Sequence, residues 1–224
     1  MTAAGKMLFF VSTGRCGTLR ISQILRAALP KNFVIRHQMP GSALANIVGN
    51  IMLQTRPSRM IKRAIFRSVV LRHAAEGHFI STDPLTAMMI PEHLVRSADI
   101  GIVHVLRDHE AFAHSFLRWT RTRRRSWVAH NLVPFWQPGL WPLENAMNKN
   151  ILGTYARISK MKNAWFTQQY SHNPFYRRMA MEDMFGSSLL ERIIREFFEI
   201  DVTIDLRQLQ EKSNQSNSDR RSAA

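Results

Sequence analysis

The most constraining feature of the sequence is an alternation between short apolar runs and stretches with a helix-like pattern. The runs that fit buried strands are residues 7–12, 33–36, 78–82 and 100–106, with a weaker candidate at 176–181. Helix-like stretches lie between and after them, at residues 18–28, 59–75, 91–97, 109–118, 142–169 and 187–198. This alternation is typical of crossover units, which build a parallel sheet with helices on both faces. The sequence therefore predicts an α/β fold with a mostly parallel central sheet of about five strands.

Length and charge narrow the class of protein further. The chain has 224 residues, of which 45% are hydrophobic, and this suffices for one domain with a substantial core. We predict that this domain spans residues 1–212 and that the polar segment 213–224 is a flexible tail. There are 31 Lys and Arg against 16 Asp and Glu, for a formal net charge of +15. That excess favours anionic partners, such as phosphate or sulfate groups, polyanionic glycans, nucleic acid or acidic lipid.

The cysteine count and the apolar run lengths exclude several classes. Cys16 is the single cysteine, which rules out an internal disulfide and a cysteine-based zinc site. No apolar run approaches the roughly 20 residues of a membrane span. The apolar run at residues 7–11 is too short for a signal peptide. We therefore expect a cytoplasmic protein.

The turn after the first predicted strand reads "VSTGRCGTLR" at residues 11–20. In a parallel α/β sheet this turn lies at the carboxyl edge of the strands, where ligands bind. Its backbone N–H groups and the start of the next helix form a site for an anion. Gly14 and Gly17 permit the positive φ angles that such a turn requires, and Thr18 is placed to cap the helix.

This turn differs from the ATP-binding loop, which needs a Gly-Lys-Ser/Thr sequence at its end. Here Leu19 stands five residues after Gly14, and no Lys follows. Arg15 lies inside the turn, where its guanidinium can reach a terminal phosphate or sulfate. An ordinary strand-to-helix turn with an exposed Arg is the alternative.

A second segment, "VHVLRDHEAFAHSFLRWTR" at residues 103–121, follows the same logic. A predicted strand delivers Arg107 at its carboxyl end, and Ser115 follows eight residues later on the next helix. Both side chains can then point toward one phosphate beside the first turn. Taken alone, the segment is equally explained by an Arg that caps its strand and a Ser within a helix.

Together the two segments resemble the sulfotransferase family that uses 3′-phosphoadenosine 5′-phosphosulfate (PAPS). The bacterial and carbohydrate-directed branches of that family often carry Arg where the small-molecule branch has Lys. A third block, "YRRMAMEDMFGSSLLERIIREFFEI" at residues 176–200, resembles the family's late strand, Glu-Asp pair and closing helix. The three blocks occur in the family's order and span most of the chain.

The resemblance implies a P-loop-like domain that binds PAPS and releases adenosine 3′,5′-bisphosphate, with no metal. The implied 5′-phosphosulfate loop consists of Ser12, Thr13, Gly14, Arg15, Cys16, Gly17 and Thr18. Arg15 would stabilise charge on the bridging oxygen as the sulfuryl group departs. Arg107 and Ser115 match the 3′-phosphate motif, which distinguishes PAPS from ATP.

The catalytic base has two candidates, because the sequence departs from the family pattern at both positions. The small-molecule branch has a His after the third strand, where "HFISTDP" offers Asp83. Other branches place a His-Glu or a Glu after the second strand, where "IRHQMP" offers His37 followed by Gln38. His37 has an ordinary pKa suited to a general base, whereas Asp-Pro is also a common turn or cap. The choice between His37 and Asp83 stays open.

The segment at residues 120–142 breaks the strand–helix rhythm, and we predict a long loop there. Within it and just before it, "RWTRTRRRSW" at residues 118–127 contains five Arg and two Trp. We predict an acceptor-binding role, through charge pairing and stacking on sugar rings, for Arg121, Arg123, Arg124, Arg125 and Trp127. A solvated charge run and a nucleic-acid patch fit the same composition.

These observations predict transfer of a sulfuryl group from PAPS to a hydroxyl or amine acceptor, on a carbohydrate or glycolipid. One alternative is a nucleotide-dependent phosphotransferase. Another is a basic module that binds anions or nucleic acid, with nucleic acid the less favoured partner. The basic amphipathic stretch at residues 58–73 also suits a peripheral acidic membrane surface, although packing on the sheet explains it more simply.

Overall fold

The predicted alternation folds into a five-stranded sheet with helices on both faces. The computed structural model describes residues 5–53, 59–74, 77–138, 147–185 and 188–204. Its strands are β1 (Met7–Val11), β2 (Phe33–Arg36), β3 (His78–Ser81), β4 (Ile100–Leu106) and β5 (Phe175–Ala180). Its α-helices are α1 (Thr18–Ala28), α2 (Ser42–Met52), α3 (Arg59–Val69), α4 (Glu92–Val95), α5 (His109–Thr122), α6 (Arg124–Leu132), α7 (Ile151–Tyr170) and α8 (Leu189–Phe198). Short 3₁₀ turns follow α3 and β5, at Leu71–His73 and Asp183–Phe185.

The sheet has the strand order β2-β3-β1-β4-β5, and every strand pair in the described segments is parallel. This confirms the predicted α/β class and parallel sheet. From the central strand β1, the chain first builds β2 and β3 on one side and then β4 and β5 on the other. A reversal of this kind opens a crevice at the carboxyl end of the central strand.

Strand β1 contributes to both halves of the core, since successive side chains of a strand point to opposite faces. Leu8 and Phe10 pack with residues of α1 and α8, whereas Phe9 and Val11 pack with residues of α3 and α7. All four are buried. Burying each such side chain contributes about 1.5–3 kcal/mol, so the core fixes the position of the turn after β1.

The basic amphipathic stretch is the helix α3, and its apolar face packs against the sheet. Ile65, Phe66 and Val69 are buried in the cluster beside β1. The helix ends at Val69, earlier than predicted, and the chain continues as a 3₁₀ turn. No helix of the described segments is long and apolar enough to cross a membrane.

The prediction of a long loop at residues 120–142 is wrong for residues 120–132. Residues 133–138 have neither helix nor strand, and 139–142 lie outside the described residues. Helix α5 continues to Thr122, and α6 follows after a single extended residue, Arg123. The N–H of Arg123 donates to the Trp119 carbonyl at 3.2 Å, and its own carbonyl accepts from the Trp127 N–H at 2.8 Å. Arg123 therefore ends one helix and begins the next. Since arginine is a good helix former, a run of arginines does not by itself indicate a loop.

Other boundaries also differ from the sequence prediction. Helix α2 was not predicted, and α4 is shorter than the predicted 91–97. Helix α7 begins at Ile151 instead of 142, and residues 139–146 lie outside the described residues. The predicted tail 213–224 and the end of the predicted domain, 205–212, also lie outside them.

Candidate active site

The residues that follow β1, β2 and β4 meet at a cavity of about 680 Å³ at the carboxyl edge of the sheet. Its lining includes four cationic side chains and two histidines. These are Arg15, Arg20, Arg107, Lys162, His37 and His130. No Asp or Glu lines the cavity in the described part of the chain. The electrostatic field of such a cavity attracts anions.

The turn after β1 has the backbone conformation predicted from its glycines. The φ angles are 88° at Gly14, 56° at Arg15 and 72° at Gly17. The left-handed conformation costs a non-glycine residue such as Arg15 roughly 1–2 kcal/mol. The surroundings hold it in place, because Arg107 Nη1 donates to the Arg15 carbonyl oxygen at 2.6 Å.

The backbone N–H groups of this turn are available to a ligand. The N–H of Gly14 donates to Ser12 Oγ at 3.2 Å, whereas no described residue accepts from the N–H groups of residues 15–18. Helix α1 has no side-chain cap and no acidic residue in its first turn. Thr18 is the first helical residue and Gly17 precedes it as the cap, so the prediction that Thr18 caps the helix is wrong. An uncapped helix start with free amides favours an anion.

Two guanidinium groups converge beside the turn. Arg15 lies over the ring of Trp119, with 5.5 Å from Cζ to the ring centroid. Burial lowers the pKa of Arg15, and repulsion from Arg107 lowers it further, although a guanidinium stays protonated in proteins. The Nε of Arg107 is buried and has no hydrogen-bond partner among the described residues. A bound anion would satisfy that donor and offset the repulsion.

Cys16 has a structural role in the turn. Its side chain is 1% exposed, and its thiol donates to the Gly14 carbonyl at 3.1 Å. Burial raises the pKa of the Cys16 thiol to about 11. A protonated, buried thiol is a poor nucleophile, so Cys16 fills space beneath the loop.

His37 has the geometry of a general base. Its Nδ1 lies 3.0 Å from the Thr82 carbonyl oxygen, so Nδ1 carries the proton and donates it. The other ring nitrogen, Nε2, is then an acceptor, and the His37 side chain lines the cavity. Burial lowers the pKa of His37, against the opposing effect of the Thr82 hydrogen bond. His37 is therefore neutral at pH 7, which is the form that accepts a proton.

Asp83 is placed differently. Its side chain is 1% exposed and does not line the cavity. The carboxylate accepts hydrogen bonds from the backbone N–H groups of Met39 at 3.1 Å and Leu85 at 2.9 Å, and from the Ser42 hydroxyl. These bonds fix the segment between His37 and α2. The geometry gives Asp83 a positioning role and leaves His37 as the candidate that faces the cavity.

The remaining predicted residues lie outside the cavity lining. Ser115 is half-buried on α5 and does not line the cavity, although Arg107 does. All five predicted acceptor residues are exposed on or between α5 and α6 and are absent from the lining: Arg121, Arg123, Arg124, Arg125 and Trp127. Of these, Arg123 is close enough to Arg15 to lower its pKa.

A second set of lining residues escaped the sequence analysis. These residues, which we call the aromatic wall, are Trp119, His130, Trp136, Gln137 and Lys162. They come from α5, α6, α7 and the segment 133–138. We define the loop wall as the turn after β1, residues 12–18, together with Arg107 at the end of β4.

Helix α2 holds the aromatic wall in place. Asn50 Nδ2 donates to the carbonyl oxygens of Trp136 at 2.7 Å and Phe135 at 3.0 Å. Asn46 Nδ2 also donates to the Trp136 carbonyl oxygen, at 3.0 Å. The Trp136 indole N–H donates to His130 Nε2 at 3.2 Å. Two tryptophans near a stretch of arginines were the available signal, but nothing in the sequence linked them to α2.

Comparison with solved structures finds chains of similar fold. The crystal structure of a sulfotransferase from Alicyclobacillus acidocaldarius is 14% identical to this chain, with a TM-score of 0.46. The similar region covers 89% of this chain and 83% of that one. A similarity of this size carries no conclusion about activity. No family model and no curated protein matches the chain.

Proposed function

We propose that the protein is a sulfotransferase that moves a sulfuryl group from PAPS to a hydroxyl or amine acceptor. One observation carries the proposal. The loop wall and His37, which follow parallel strands of one sheet, meet at one cavity whose charged lining is cationic in the described segments. That arrangement combines a site for a polyanionic donor with a neutral base beside it.

The loop wall provides the donor site. The N–H groups of residues 15–18, the start of α1 and the Thr18 hydroxyl would hold the 5′-phosphosulfate. Arg107 would bind the 3′-phosphate, since its buried Nε lacks a partner within the described residues. We leave Ser115 as a lesser candidate for that phosphate, because it does not line the cavity. Ser12 and Cys16 support the loop from beneath.

His37 and Arg15 then have distinct roles in the transfer. His37 Nε2 accepts the proton of the acceptor hydroxyl as the acceptor oxygen forms a bond to sulfur. The bond between sulfur and the bridging oxygen breaks, and its electron pair stays on adenosine 3′,5′-bisphosphate. Arg15 stabilises the charge that develops on that oxygen. The reaction needs no covalent intermediate on Cys16.

The cavity lining and His37 favour a sulfotransferase over a phosphotransferase and over a basic binding module. A phosphotransferase that uses ATP and Mg²⁺ needs carboxylates near its phosphate loop, and none lines the described part of this cavity. A basic binding module has no need of a histidine whose proton is held on Nδ1 and whose Nε2 is left as an acceptor. A binding module nevertheless accounts for the net charge of +15, so activity must decide.

An assay with labelled donors tests the proposal. The protein is incubated with ³⁵S-PAPS and a panel of hydroxyl and amine acceptors, and in parallel with γ-³²P-ATP and Mg²⁺. We expect transfer of ³⁵S that is lost in the His37→Gln variant, with no transfer of ³²P. Transfer of ³²P would support the phosphotransferase, and no transfer of either label would support the binding module.

A further inference from the structure

Lys162 is a buried cation for which the donor site has no use. It lies on α7, is 8% exposed, and lines the cavity as part of the aromatic wall. No carboxylate of the described segments forms an ion pair with it. Burying a lone ammonium is costly unless an anion or hydrogen-bond acceptors compensate.

Another buried lysine shows that Lys162 is unusual within this chain. Lys62 on α3 is 7% exposed, but it lies over the ring of Trp165, 5.4 Å from Nζ to the centroid. The nearby carboxylate of Glu92 favours its charged form. Lys162 has neither an aromatic ring nor a carboxylate as a partner among the described residues. Burial lowers the pKa of His130 to about 3, and the charge of Lys162 contributes to that decrease.

The groups around Lys162 suit one kind of ligand. Trp119 and Trp136 line the same cavity, and indole rings pack well against the apolar face of a sugar ring. Gln137 adds an amide that can hydrogen-bond a hydroxyl. A ring with hydroxyl groups and one negative charge matches this set of side chains.

We propose that Lys162 binds the carboxylate of an acidic sugar, which enters against the aromatic wall as the sulfuryl acceptor. The acceptor role rests on the proposed function, because it assigns the loop wall of the same cavity to the donor. The acidic sugar supplies a counter-charge beside Lys162, where the described residues provide none. The main acceptor contact then lies in the interior of the cavity and not on the exposed arginines of residues 121–125.

The binding test uses two ligands that differ in the carboxylate. The dissociation constants of p-nitrophenyl β-glucuronide and p-nitrophenyl β-glucoside are measured by calorimetry, with and without saturating adenosine 3′,5′-bisphosphate. We expect the wild type to bind the glucuronide at least about tenfold more tightly, because the hydrogen bond from Lys162 to the carboxylate is charge-assisted. Lys162→Gln should remove that preference.

Two further variants control for folding and for general charge. Lys160→Gln removes an exposed lysine of the same helix and should leave the preference unchanged. Lys162→Met keeps an unbranched side chain of nearly the same length without its charge and should lose the preference, as Lys162→Gln does. Circular dichroism melts establish that each variant is folded.

Several results would overturn the proposal. These are equal affinities for the two glycosides in the wild type, no binding of the glucuronide, and a preference that survives both Lys162 substitutions. A tenfold loss of bisphosphate affinity in Lys162→Gln would assign the residue to the donor site instead.

The two proposals fail in different ways. If the bisphosphate does not bind but the Lys162-dependent preference is present without it, the donor assignment fails and the acidic-sugar site stands. If the bisphosphate binds and the preference is absent, the reverse holds.

Discussion

The two walls of the cavity are both cationic but are built in different ways. The loop wall comes from the turn after β1 and the end of β4, two adjacent parallel strands, and offers backbone N–H groups with Arg15 and Arg107. The aromatic wall is assembled from three helices and the segment 133–138, and offers side chains alone. One wall is therefore set by local chain geometry and the other by long-range packing.

Substitutions in the two walls should therefore differ in their effects. Changes in the loop wall should alter donor binding or the transfer step, whereas changes at Lys162 and Trp136 of the aromatic wall should alter acceptor binding and leave donor binding constant. His37 belongs to neither wall, and its proposed role is to accept the acceptor proton while the donor is bound.

The largest expected effect is that of His37→Gln. General base catalysis contributes about 10²–10⁴-fold, so turnover should fall at least a hundredfold while the affinity for bisphosphate stays constant. In the wild type, activity should fall as the pH drops through the pKa of His37. Because burial lowers that pKa, the midpoint should lie below pH 6.5, the ordinary value for His.

A pH–rate profile provides the measurement. The acidic limb should be absent in His37→Gln and retained in Asp83→Asn, which should instead be less stable, since the Asp83 carboxylate accepts three hydrogen bonds. Loss of the limb in Asp83→Asn with His37→Gln unaffected would reverse the assignment.

Arg15→Ala should be the next largest change. It should lower turnover roughly a hundredfold, about 3 kcal/mol, with little change in donor affinity, because the contact strengthens as the bridging oxygen gains charge. Arg15→Lys should recover part of the rate, since the charge remains but the fork geometry is lost. Steady-state kinetics and bisphosphate binding measure the two effects separately. Unchanged turnover in the Ala variant would remove Arg15 from the transfer step.

Lys162→Met should stabilise the free protein. Burial lowers the pKa of Lys162 from 10.5 to about 8, so the unfolded chain binds the proton more tightly than the folded one. The resulting destabilisation is complete below pH 8 and disappears as the pH rises through 10.5. At pH 7 the substitution should therefore raise the free energy of unfolding by about 3 kcal/mol.

Lys62→Met is the matched comparison for this prediction. Its pKa is also lowered to about 8 by burial, but the substitution removes the contact with the Trp165 ring, so the gain should be smaller. Urea denaturation of both variants at pH 7 and pH 10 measures the difference. An equal gain in the two variants would mean that Lys162 is no less compensated than Lys62.

The smallest expected effect comes from the exposed arginines. Replacing Arg121, Arg123, Arg124 and Arg125 by Gln should raise the acceptor KM less than about threefold, because exposed charges are screened over about 10 Å at 0.1 M salt. The salt dependence of KM should flatten, while bisphosphate affinity stays constant. Acceptor kinetics at several salt concentrations measure this. A tenfold rise in KM would mean that the main acceptor contact lies on this surface and not on the aromatic wall.

The parts of the fold that the sequence predicted are those with local signals. The strand β1 is a continuous apolar run, and the turn after it carries glycines at two of the positions where φ is positive. The carboxyl ends of parallel strands share one edge, so the positions of His37 and Arg107 followed from the strand pattern.

The aromatic wall had no such local signal. Trp136 and Lys162 lie in segments that are distant in sequence, and α2, which fixes Trp136 through Asn50, has a weak helical pattern with Gly49 inside it. The role of Asp83 was also hidden, because its hydrogen-bond partners come from residues 39–42 as well as from its own turn. These contacts depend on how the segments pack, which residue spacing does not reveal.

The central claim is that the loop wall recognises a nucleotide with phosphates at both the 3′ and 5′ positions. Titration calorimetry with adenosine 3′,5′-bisphosphate and with AMP measures it directly, using the wild type, Arg107→Gln and the exposed control Arg118→Gln. We predict that the wild type and Arg118→Gln bind the bisphosphate at least about tenfold more tightly than AMP, a difference of about 1.4 kcal/mol. Arg107→Gln should bind both nucleotides with similar affinity. Equal affinities in the wild type, or a preference that survives in Arg107→Gln, would contradict the account.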